Sequence, residues 1–260
     1  VALSASSEAA QLSTANLRQP SLRARWRTIT GVVTPSLDVD LGQAREVGVL
    51  ALAQPQDAGG IDADGDARGW MAGTDTVRHR LSVVAAGGGD VLDVQAAGGW
   101  VPGVGIHARV LGAPVSARWW RCDLDAPSLS TLGFLDIGRA WIGPAWRPSR
   151  NFAYGGVDGL TDSTRVQVNP RSLLESVDVG AFQRVWRFDL ASLGRDEAEA
   201  VLPEFRRAVG TRRQVLFIPY PDSPDIIGRQ AVIGRLAQVP AITHENFAFH
   251  SAAFELRETV

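Results

Sequence analysis

Short runs of alternating apolar and polar residues recur along the first half of the chain. Between Gly31 and Ala53 the apolar positions are Val32, Val33, Leu37, Val39 and Leu41, then Val47, Val49, Leu50 and Leu52. This pattern predicts two short strands joined at Gly42. Val77 to Val84 alternates again, with Val77, His79, Leu81 and Val83 on one face. Gly87-Gly88-Gly89-Asp90 reads as a turn, and Val91–Val94 and Ile106–Leu111 read as further strands. Two more apolar stretches come next, Ala117–Asp125 and Gly133–Gly143. Many short strands separated by turn residues predict an all-β sandwich.

The second half has a different rhythm. Arg184 to Pro221 reads as strand, helix, strand. Trp186, Phe188 and Leu190 alternate with Val185, Arg187 and Asp189; then Ala198, Leu202, Phe205 and Val209 fall on one helical stripe. Asp196 and Glu197 in the first turn and Arg206 and Arg207 in the last complement the helix dipole, and Gly210 stops the helix. Pro203 lies inside the pattern, where a proline removes one backbone bond and crowds the preceding turn, so a kink or a later start is expected. Val215–Ile218 is a short apolar strand. Around this centre, Asn151–Gly159 is a turn-rich joint and Thr164–Val168 a strand. Leu173–Val179 is expected to pair with the strand after it. Pro221–Ile227 reads as loop, and Gln230–Val239 and Asn246–Leu256 as strands.

Composition narrows the function classes. The 260 residues suffice for one large or two ordinary domains, and the change of rhythm divides them as 1–147 and 148–260. A formal net charge of −2 gives no reason to expect nucleic-acid recognition or attachment to an acidic membrane. All 26 basic residues are Arg. Coding bias explains this simply, while the planar fork of Arg also suits assembly surfaces. The single Cys122 precludes an internal disulfide and reads as a small buried hydrophobe. No apolar run has the length of a membrane-spanning helix, and the start shows no charged region followed by an apolar one, so no signal peptide is expected.

Candidate chemistry is sparse. There is no Gly-x-Ser-x-Gly, His-Glu-x-x-His or phosphate-loop motif. Asp123 and Asp125 share a strand face, as the carboxylates of a glycosidase could, but such pairs arise readily by chance. The chain reads as a non-enzyme with no cofactor. Asp62, Asp64 and Asp66 lie in a loop whose sixth and twelfth positions, Ala67 and Gly73, rule out an EF-hand. That loop is read as solvated acidic surface, with a looser calcium cage as the alternative. His79 has no visible partner, and His244 and His250 are not spaced as a metal pair within one strand. For sugar binding the useful groups are exposed aromatics. Trp70 and Trp100 lie in glycine-rich loops and Trp146 at the end of the first domain. Packing in the fold or on a neighbouring subunit is the alternative use of all three.

Two resemblances rest on these residues. Asn16-Leu17, Trp26-Arg27-Thr28, the Trp119 to Asp125 strand and Ile137-Gly138-Arg139 to Gly143 resemble the galactose-binding-like, discoidin-type jelly rolls, over about residues 4–147. That resemblance implies that Trp26 packs in the core and that Asn16-Leu17 forms a turn. Tyr154-Gly155-Gly156, Arg184–Phe188, Glu197–Gly210 and Val215–Pro221 resemble the minor and distal tail proteins of long-tailed bacteriophages, over about residues 151–260. The resemblance implies a mainly β chain, a jelly roll followed by a tail-tube-like β domain carrying one helix. It implies a structural role as a ring at the tail tip, joining tail tube to baseplate hub. The partners would be copies of itself and other tail proteins, in a virion assembled in the host cytoplasm. The alternative is a lectin-like protein contacting host surface glycans.

Overall fold

The computed structural model describes residues 1–22, 24–32, 34–54, 75–96, 105–127, 134–168, 170–172, 174–178, 180, 182–244 and 249–259. The protein is mainly β, in two compact units: residues 1–146 with 218–231, and residues 147–217 with 232–260.

The first unit is built on two long strands. β1 (Ala2–Ala5), β2 (Trp26–Arg27), β3 (Ser36–Ala53), β4 (Thr76–Ala85), β5 (Gly88–Ala96), β6 (Ile106–Asp125), β7 (Asp136–Ile137) and β8 (Arg139–Gly143) follow in order. The main sheet runs β1-β3-β6-β4-β5, with β8 on the far half of β3. The two short strands expected between 31 and 53 are one strand. Gly42 (φ 82°) and a register shift between Asp40 and Arg45 bend it without ending it. Asp40 Oδ1 accepts from Gly42 N–H at 2.8 Å and holds the bend. Likewise Ile106–Leu111 and Ala117–Asp125 are the two halves of β6, because both pair continuously with β3 apart from its bulges. Bending lets the two halves of each strand face one core: Leu37 and Val39 meet Leu50 and Leu52 around Trp26, Trp120 and Cys122, all buried. This is a sandwich made by folding long strands on themselves.

The core also fixes the smaller elements. Trp26 is fully buried, and its Nε1 donates to Ser7 O at 2.8 Å. The Asn16-Leu17 turn is a 3-10 turn, Thr14–Arg18, pinned where Asn16 Nδ2 donates to Arg25 O at 2.8 Å. β2 pairs with β7, and there the buried Asp136 accepts from Arg27 Nε and Nη2, both at 2.7 Å, and from Arg25 Nη1 at 3.2 Å.

The second unit is a sheet of order β13-β14-β16-β12-β9, formed by β9 (Val157–Asp162), β12 (Phe182–Gly194), β13 (Gln214–Phe217), β14 (Val232–Leu236) and β16 (Phe249–Glu258), with β15 (Ile242–His244) on β16. Phe188 stacks between Phe217 and Phe254, at centroid distances of 4.5 and 5.2 Å. The segment expected to pair with the central strand pairs backward instead. β11 (Glu175–Asp178) joins β10 (Arg165–Val168), so the two extend the β9–β12 pair outward as one ribbon. The helix carries its predicted stripe, with Ala198 and Leu202 buried. Pro203 produces a widened turn: Glu197–Val201 is π-helical, and α1 (Leu202–Val209) continues from it. A wide turn gives the proline ring room and absorbs the missing N–H.

Between β13 and β14 the chain crosses to the first unit. The sequence reads as loop over Pro221–Ile227, yet Pro224–Gln230 is a helix, α2. Pro224 occupies its first turn, where its missing N–H is harmless, and Ile226 and Ile227 N–H donate to Ser223 O. Ile227 and Ala231 are buried. On its return the chain needs a glycine. A Cβ on Gly234 would press on the Arg257 carbonyl of neighbouring β16. Gly234→Ala should therefore cost about 2 kcal/mol in denaturant unfolding, the scale of overpacking. An unchanged midpoint would mean that the two strands can separate without loss.

Candidate functional site

The exterior of the first sheet is organised by ion pairs. Arg121 binds Asp38 through two bonds of 2.6 Å, Arg118 binds Asp40 at 2.8 and 2.9 Å, and Arg80 binds Asp123 Oδ2 at 2.9 and 2.5 Å. Arg78 pairs with Asp93. The Arg118 bonds, helped by the Gly42 N–H, hold the Asp40 carboxyl at about 2. These arginines are used within the chain, so their abundance does not by itself mark an interface. Asp123, beside Asp125, is thus tied to Arg80 through Oδ2.

Three surfaces remain as candidates. The first is the pair of glycine-rich loops. Trp70, Trp100 and the acidic triplet Asp62, Asp64 and Asp66 lie outside the described residues. Trp146, the third aromatic, is half-buried where the first unit's continuous stretch ends.

The second surface is a cleft of about 470 Å3 between β1 and the Thr14–Arg18 turn. Leu3 and Ala5 give it apolar area; Ser4, Ser13, Glu8 and Arg18 give it hydroxyls, a carboxylate and a guanidinium. Glu8 Oε1 accepts from Thr14 Oγ1 at 2.6 Å and from Thr14 N–H at 3.2 Å. The same carboxylate thus fixes the turn and presents its other oxygen as an acceptor. Nothing in the apolar pattern signals this cleft. Its one sequence cue is an acidic residue six positions before the threonine that it holds.

The third surface is the ribbon. Its tip, β10 and β11, is exposed along its whole length. Cross-strand pairing puts Val166 opposite Val177 and Val168 opposite Glu175 on one face, and Arg165 opposite Asp178 and Gln167 opposite Ser176 on the other. Val166, Val168 and Val177 are each more than half exposed. Nearer the sheet, Leu160 and Phe182 are 70% and 58% exposed on the face that carries the buried Trp186.

The histidines sort themselves by pairing. His79, on β4, finds its partner across the sandwich: its Nε2 lies 3.2 Å from His107 Nε2, and Trp120 Nε1 donates to its Nδ1 at 3.2 Å. Burial first, then the neighbouring His107 and Arg109, pushes His79 down to about 3; burial and Arg109 push His107 to about 4. His244 and His250 face each other across β15 and β16, edge to face at 4.6 Å. Among the described residues no three His, Cys, Asp or Glu side chains converge as a metal site. Among the same residues no helix is long and apolar enough to cross a membrane.

No protein-family profile and no curated protein matches the chain. Solved structures are similar to part of it. A family 32 carbohydrate-binding module from C. perfringens NanJ, in complex with galactose, is 18% identical over 54% of this chain and 91% of that one, with a TM-score of 0.39. The lectin domain of Lectinolysin, complexed with Lewis B antigen, is 16% identical over 56% and 93%, with a TM-score of 0.42. The family 32 module of AlyQ, with 4,5-unsaturated mannuronic acid, is 19% identical over 56% and 95%, with a TM-score of 0.38. Likenesses this distant decide neither ligand nor activity. The class defined by the chain's own strands is a two-unit, mainly β protein with a sandwich.

Proposed function

We propose that the chain is a non-catalytic, lectin-like protein whose first unit binds carbohydrate. The observation that carries this reading is the Glu8–Arg18 cleft. Sugar hydroxyls both donate and accept, and the cleft offers an acceptor carboxylate, a donor guanidinium and two serine hydroxyls beside apolar Leu3 and Ala5. One member of the candidate carboxylate pair, Asp123, is bonded to Arg80, which favours binding over hydrolysis. The sugars held by the similar solved structures supply the first probes: galactose and the Lewis B antigen.

The test is a glycan array with the full chain, followed by titration of any hit. Glu8→Gln and Arg18→Ala should each weaken binding about tenfold or more, the worth of one charge-assisted bond. Binding lost instead in Trp70→Ala or Trp100→Ala would move the site to the glycine-rich loops. No binding at millimolar sugar would remove the reading.

A second reading is favoured by the ribbon. A tail-tip ring protein, joining tail tube to baseplate hub in a long-tailed phage, works through apolar surfaces that only neighbours cover. An exposed valine face fits that role better than it fits a free lectin. The sandwich would then lie on the outside of the ring as a spacer or a host-glycan contact.

A further inference from the structure

We propose that His244 and His250 form a binding site for a divalent transition-metal ion of the Zn2+ class. The site goes beyond the carbohydrate reading and lies in the other unit. β15 and β16 place the two histidines directly opposite each other. Side chains paired in this way leave the same face of a sheet, with Cβ atoms about 4.5–5.5 Å apart. Here the rings stand edge to face, with centroids 4.6 Å apart. One ion can therefore reach a nitrogen of each ring at the usual Zn–N length of about 2.0–2.1 Å. On β16, His250 shares the buried face of Ala252, Phe254 and Leu256, and Leu193 of β12 flanks it on the other side. Such packing makes it a fixed anchor. His244 ends the three-residue β15 and is exposed, so its ring can turn toward a shared ion from the solvent side.

A second observation points to a ligand. His250 is only 3% exposed, yet neither its Nδ1 nor its Nε2 meets a hydrogen-bond partner among the described residues. A buried polar atom without a partner is costly, and each one calls for an explanation. The other histidine pair gives the contrast. His79 Nε2 faces His107 Nε2 at 3.2 Å, and Trp120 donates to His79 Nδ1. Those nitrogens are used within the chain; those of His250 are not. Donor chemistry then names the ion. Neutral imidazole suits Zn2+, Ni2+ and Cu2+, whereas Ca2+ and Mg2+ take oxygen ligands. Among the described residues no third His, Cys, Asp or Glu converges on the pair. Two imidazoles thus hold the ion, and water fills its open positions. A bound ion would tie the end of β15 to β16, the middle strand of the sheet.

The measurement is calorimetric titration of the metal-free full chain with Zn2+, alongside thermal melts with and without the ion. The chain has four histidines and one cysteine, and Cys122 is buried, so the variants that matter are few. Wild type should take up one Zn2+ per chain, and saturating Zn2+ should raise its melting temperature by a few degrees. His244→Ala and His250→Gln should each weaken binding about tenfold or more. His244→Ala changes an exposed side chain, so its metal-free melt should match wild type, and it decides the matter even where His250→Gln folds poorly. His107→Gln should bind Zn2+ as wild type does, and Ca2+ should leave the wild-type melt unchanged. No uptake at millimolar Zn2+ overturns the proposal, and so does undiminished binding in His244→Ala. Binding lost only in His107→Gln would overturn it in favour of the other pair. Equal stabilisation by Ca2+ would overturn it in favour of a carboxylate site. Glycan binding is read separately, so failure of this site leaves the carbohydrate proposal untouched.

Discussion

Lowering the pH from 7 to 4.5 should destabilise the first unit by several kcal/mol. The cause is the His79–His107 pair. Trp120 donates to His79 Nδ1, which makes that nitrogen an acceptor and leaves the proton on Nε2. That proton points at His107 Nε2, which must accept. A further proton on either ring would break this chain of bonds or set two donors face to face. The folded protein therefore keeps both rings neutral, with His79 at about 3 and His107 at about 4. The unfolded chain takes up both protons near 6.5. Stability is complete above that value and falls as pH drops toward 4, because the unfolded state then binds more protons. Two protons correspond to a slope approaching ~2.7 kcal/mol per pH unit. Partial exposure of His107 reduces this, so about 3–5 kcal/mol between pH 7 and 4.5 is the expected loss. Urea midpoints at pH 7, 5.5 and 4.5 measure it. His107→Gln should flatten the profile by about half. A midpoint that does not move between pH 7 and 5 would show that the pair is open to water.

The second large effect concerns Trp26. Trp26→Ala should cost about 4 kcal/mol, the range for a buried aromatic. The indole is fully buried among Leu37, Trp120 and Leu135, and its loss also leaves the Ser7 carbonyl without its donor. Trp146→Ala, at a half-buried position, should cost clearly less. Denaturant unfolding of both variants makes the comparison. A loss under about 1.5 kcal/mol for Trp26→Ala would mean that β2 and β7 are peripheral to the sandwich.

Much of this fold is legible in the residues, and the exceptions have physical reasons. The Ala198–Leu202 stripe comes from helical spacing, whereas Trp26 as core and the Asn16-Leu17 turn are what the resemblance of the first half implies. The bends are harder. Gly42 looks like the end of a strand, because a positive φ ends most strands; here β6 pairs on both sides of it and carries the ladder through. Pro224 after Ser223 reads as turn punctuation, yet the same residues start a helix once Ile227 has a core to enter. The partner of His79 lies 28 positions away in the opposite layer, beyond any local pattern. For the candidate surfaces, period alone predicts a strand at Thr164–Val168 but cannot say that its apolar face meets no core. The cleft is less visible still, since it is shaped by a carboxylate gripping a turn.

The return of residues 218–231 to the first unit has a consequence for how the protein is made. The backbone passes between the two units three times, near 146, 217 and 231. During synthesis the sandwich cannot be completed when its own strands have left the ribosome. It waits until α2 emerges, after most of the second unit's sequence. A fragment ending near residue 147 would expose the bed of Ile227 and Ala231, so the two units are better expressed, swapped or transplanted together than apart.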